Sequence, residues 1–102
     1  MTYTTPPLSP FKAQRYVERA DQSTRSMLRS ALYLNPDVAD SLRQRESRRM
    51  ERAWGRICER WEEAALRSAA AGQQSLQWIA QQHAKAAYAK SVDWRRFGAG
   101  GS

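Results

Sequence analysis

Apolar residues recur at three- and four-residue intervals along most of this chain, and that spacing gathers side chains on one face of a helix. In the first third the series is Ala13, Tyr16, Val17, Ala20, Thr24, Met27, Leu28 and Ala31. Lys12, Arg15, Arg19, Gln22, Ser26 and Arg29 fall on the opposite side. Ser9 predicts an N-cap, and Pro10 follows at the first helical position, where a missing N–H costs nothing. Pro36 cannot continue this helix and biases Asn35 toward extended backbone, so a stop is expected near residue 33. The same residues start a second helix: Asn35 caps it, Pro36 opens it, and Asp37 sets a negative charge at the positive end of the dipole.

Beyond Pro36 there is no further proline, and a second stripe runs through Met50, Trp54, Ile57, Trp61, Ala65, Ser68, Gly72, Leu76, Ile79, His83 and Ala86. Two all-α architectures follow. If Gly72 ends a helix, the chain turns back into a helical hairpin or three-helix bundle, with helices over about 10–33, 36–70 and 73–92. If the stripe is continuous, one helix of about 80 Å runs from Pro36 to Ser91 and needs a partner chain to cover it. The small residues Ala64, Ala65, Ser68, Ala69, Ala71 and Gly72 permit close helix approach in either case.

The ends read differently. Residues 1–8 carry adjacent prolines and three threonines, which predicts an extended, flexible arm; Pro7 and Pro10 make only a minimal PxxP pattern. Residues 98–102 are Gly-rich and predict a flexible tail, leaving 9–97 as a single helical domain. No basic leader followed by an apolar segment opens the chain, and no apolar run is long enough to span a membrane, so neither a signal peptide nor a transmembrane segment is expected.

Charge changes this picture of a plain helical domain. The formal net charge is +7, and most of the basic residues are Arg, the cation suited to bidentate contact with carboxylate or phosphate. Such a field attracts acidic proteins, nucleic acid or anionic lipid without choosing among them. One Cys excludes an internal disulfide, which fits a reducing, cytoplasmic location.

Catalysis needs a nucleophile beside a base, paired carboxylates or a metal cluster, and the sequence offers no such set; no enzyme activity and no cofactor are expected. His83 is the single His and Cys58 the single Cys. His83 lies on the apolar stripe and reads as a helix-interface residue, and Cys58 as a small buried hydrophobe. Glu62 and Glu63 are neighbours, which on a helix point apart. The glycines at 98, 100 and 101 follow the last helix and open none, so they make no phosphate loop. Trp54 and Trp61 read as core.

Two surface signals remain. Arg45, Arg49, Arg52, Arg56 and Arg60 share one helix face, nearly opposite the Trp54 and Trp61 stripe, and form a candidate site for an anion or acidic partner. From Arg43 to Arg60 there are seven Arg against three Glu, a local excess of +4. The ordinary fate of such a row is solvated surface, and basic residues are spread over the rest of the chain as well. In the C-terminal third Trp78, Tyr88 and Val92 point away from the main stripe, and Trp94 and Phe97 follow; these five form a candidate protein interface, since aromatic side chains are enriched there. The bland reading is that they finish a small core.

Together these features predict a small basic helical interaction module, an adaptor, subunit or inhibitor, that binds an acidic protein and self-associates as a homo-oligomer, a dimer being the simplest. A nucleic-acid-associated protein binding phosphate through the Arg face is the first alternative. An amphipathic coat on an anionic lipid or hydrophobic particle is the second.

Overall fold

A computed structural model describes residues 9–100, and the arm expected over 1–8 lies outside them. The described chain forms three helices and no strand: α1 (Pro10–Leu34), α2 (Pro36–Ala70) and α3 (Gln74–Gly98). Each junction follows from its residues. The Ser9 hydroxyl accepts from the Lys12 amide at 3.3 Å with Pro10 behind it. Asn35 is the only residue between α1 and α2; its extended backbone breaks the helix, and its side-chain oxygen accepts from the Asp37 and Val38 amides.

Gly72 decides between the two architectures. It adopts φ +73°, a left-handed conformation that glycine reaches at little cost. The amides of Gly72 and Gln73 then bond back to the carbonyls of Ala69 and Ser68. Two helices result, and α3 returns antiparallel to α2: Arg95 reaches Glu51, and Arg43 reaches the Phe97 carbonyl. The single long helix is therefore ruled out.

The expected stripe holds on α2, where Met50, Trp54, Ile57, Trp61 and Ala65 are all buried. On α3 it does not hold. Leu76, Ile79 and Ala86 are exposed and His83 is half-buried, whereas Ala80, Ala84, Ala87, Ser91 and Trp94 form the buried face. The physical reason is the non-helical Ala71, Gly72 and Gln73, which reset the helical phase so that a stripe counted through them rotates off the contact. Small side chains then let α3 lie close against α2. One close approach is at Gly98, where a Cβ would stand 2.8 Å from the Cβ of Ser47. Helix α3 thus runs past residue 92, and Gly98, expected in the tail, is a packing residue.

Helix α1 crosses the hairpin antiparallel to α2. Phe11 and Gln14 sit at Trp61, Asp21 at Trp54 and Thr24 at Arg49. Because α1 starts at the level of Trp61, the last nine residues of α2 and the facing part of α3 project about 13 Å beyond that helix. Among the described residues no helix is long and apolar enough to cross a membrane.

Candidate functional site

The interior of the molecule is organised by one carboxylate. Asp21, 7% exposed, accepts the indole N–H of Trp54 and that of Trp94 on the same oxygen, each at 2.8 Å. Its other oxygen takes the Arg25 Nε at 2.6 Å, and the Arg25 guanidinium lies 4.6 Å from the centre of the Trp94 ring. Burial pushes the Asp21 pKa up. The hydrogen bonds from Trp94, Arg25 and Trp54, with the charge of Arg25, outweigh it and hold the group below the usual 3.8. Its partners Arg25, Trp54 and Trp94 stand on α1, α2 and α3, so Asp21 ties the three helices together.

A second cluster, built around the buried Trp61, lies at the N-terminal end of α1. Trp61 stacks on His83 with centroids 4.3 Å apart, Phe11 meets both rings edge-on, and the Trp61 indole N–H donates to Gln14. His83 therefore sits at the helix interface. Cys58 is buried; desolvation first, then its contact with Glu62 and the nearby charge of Glu62 and Glu59, push its thiol up to about 11. A thiol held so far from its thiolate is a poor nucleophile at neutral pH.

The five arginines of the α2 row are all exposed. Arg45 and Arg49 share Glu46, at 3.8 Å and 2.6 Å, and Arg49 also donates to the Thr24 hydroxyl. Among the described residues Arg52 and Arg56 pair with no carboxylate. The row is thus partly neutralised at its N-terminal end and open in the middle.

The five C-terminal residues are not brought together. Trp78 is 62% exposed on the projecting part of the hairpin, Tyr88 is exposed about 80° around the helix from it, and Val92 is half-buried. Phe97 lies about 28 Å from Trp78 along α3, against Trp94 and under the Arg43 guanidinium. Trp94 is not an interface residue at all: at 1% exposure it is among the most deeply buried side chains, because Asp21 supplies the acceptor its indole needs.

Two features lay outside the sequence reading. Asp21 occupies the step between Val17, Thr24 and Leu28, and an acid at that spacing is the signal that marks it. The other is a groove of about 670 Å³ between α2 and α3, lined by Cys58, Glu62, Ala65 and Leu66 on one side and Gln77, Gln81, Ala84, Lys85 and Tyr88 on the other. It forms only when the hairpin closes, so no local pattern announces it. Comparison with protein-family models, curated proteins and solved structures gives no match to this chain.

Proposed function

We propose that this chain is a small helical interaction module that docks an acidic protein on the outer face of α2. The observation that carries this reading is the state of Arg52 and Arg56, which stand exposed at the middle of a five-arginine row with no carboxylate of the described chain to neutralise them. Like charges at helical spacing cost a few tenths of a kcal/mol per pair, on the order of 0.2–0.5. An acidic partner relieves that cost and gains charge-assisted hydrogen bonds. The row runs about 22 Å along α2, so the complementary partner is an acidic helix or strand lying along it.

The test is titration of the full chain with a glutamate-rich helical peptide, with random duplex DNA and anionic vesicles run in parallel. Peptide binding that is lost in an Arg52→Glu, Arg56→Glu double variant supports the reading. Binding to DNA alone, weakening steeply between about 50 and 200 mM salt, replaces it with phosphate recognition. Binding to vesicles alone replaces it with a surface coat.

A further inference from the structure

We propose that the groove between α2 and α3 at Leu66 and Tyr88 is the contact between two copies of this chain, related by a two-fold axis parallel to the helices. The proposal goes beyond the acidic-partner reading of the Arg face and does not rest on it. Three observations support a second copy as the occupant.

The groove has an apolar floor and carries two large apolar side chains among the polar ones of its walls. Ala65 and Ala84 are buried below it, while Leu66, 72% exposed, and Tyr88, 57% exposed, stand at its edges. Large apolar side chains left at a groove mouth are the kind that a protein contact removes from water.

Its charge is balanced, and the rest of the surface is not. The chain carries +7, so two copies repel each other over most approaches. At the groove the ionisable side chains of opposite sign are Glu62 on the α2 wall and Lys85 on the α3 wall. Among the described residues neither forms an ion pair within its own chain, Glu62 being engaged only by the Cys58 thiol.

The walls are also self-complementary in register. The Arg95 to Glu51 bond fixes which residues of the antiparallel pair stand level. An equal step along α2 from Glu51 and back along α3 from Arg95 brings Glu62 level with Ala84 and Lys85. A two-fold axis parallel to the helices lays α2 of one copy over α3 of the other, and so sets Glu62 of each copy against Lys85 of the other. Such an isologous contact gives every pair twice.

The experiment is sedimentation equilibrium of the full chain, with circular dichroism of each variant to confirm that its helices form. Wild type is expected at twice the 11.7 kDa chain mass. Glu62→Lys and Lys85→Glu each place like charges across the axis and raise the dimer dissociation constant by about tenfold or more. The double exchange, Glu62→Lys with Lys85→Glu, restores opposite charges and returns dimerisation toward the wild-type level. Leu66→Ala weakens the dimer with no change of charge. A wild type that stays monomeric overturns the proposal, as does a dimer indifferent to the charge exchanges. A double exchange no tighter than the single variants also overturns it. Glutamate-peptide binding measured on the same samples reports the Arg face separately, so loss of one does not imply loss of the other.

Discussion

Asp21 and Trp94 lie 73 residues apart in the chain and 2.8 Å apart in the fold, joined by a hydrogen bond from the indole N–H to the carboxylate. The same oxygen holds Trp54, so one atom of α1 fixes the large side chains of both other helices. Replacing Asp21 with Ala leaves two buried indole N–H groups without their acceptor, and a buried donor left unpaired costs about 1–3 kcal/mol. Asp21→Ala is therefore expected to lower unfolding stability by about 2–5 kcal/mol, read by urea denaturation. Asp21→Asn, which keeps one oxygen, is expected to cost less. Equal stability of Asp21→Ala and wild type would show that α1 is held by its apolar contacts alone.

The same carboxylate sets an acid limit on the fold. Its pKa is held below 3.8 in the folded chain, so the folded state binds fewer protons there than the unfolded state. Its contribution is complete above the unfolded value and is lost as pH falls through the lower folded value. The stability difference between wild type and Asp21→Asn is thus expected to be constant at neutral pH and to shrink below 3.8. Urea titrations at a series of acid pH values measure it. A difference independent of pH would mean that folding does not shift the pKa of this carboxyl group.

These dependences also show which parts of the structure the sequence discloses. Local rules place the helix ends: Ser9 and Pro10, Asn35 and Pro36, and Gly72 each carry their own stop or start chemistry, and the structure uses all of them. The buried face of α2 is legible because Met50, Trp54, Ile57 and Trp61 lie within one unbroken helix. The face of α3 is not, because the turn at Gly72 resets the phase and three of its five buried positions are alanines, which carry little hydrophobic signal. Trp94 reads as a surface anchor until its acceptor is known, and that acceptor is on another helix. The Arg row is visible as a row, but whether each guanidinium is neutralised depends on side-chain geometry, as the contrast of Arg49 with Arg52 shows.

Cys58 gives a prediction of opposite sign with pH. Its thiol is raised from 9.0 to about 11, so folding favours the neutral form. That stability is fully present below 9.0 and is lost as pH rises from there toward 11. At pH near 8 the folded chain is expected to react with iodoacetamide far more slowly than the urea-unfolded chain, as followed by mass spectrometry. Equal rates would show that Glu62 and the helix contact leave the sulfur open.

Two glycines on facing helices are expected to respond in opposite directions to the same substitution. Gly55 lies inside α2 with nothing within 4 Å of where a Cβ would stand. Alanine is favoured over glycine in a helix interior by about 1 kcal/mol, so Gly55→Ala should raise stability by roughly that amount. Gly98 also has helical backbone, but its Cβ would come within 2.8 Å of the Cβ of Ser47, a residue only 1% exposed. Helix α2 cannot yield there without moving the core, and overpacking of this kind costs about 1–3 kcal/mol. Gly98→Ala should therefore lower stability despite its better helix propensity, and thermal unfolding of both variants compares them directly. The contrast isolates close packing from propensity, because the substitution is the same and the helical conformation is shared. If Gly98→Ala also stabilises, α3 does not press on Ser47 in solution, and the close contact between the two helices ends before residue 98.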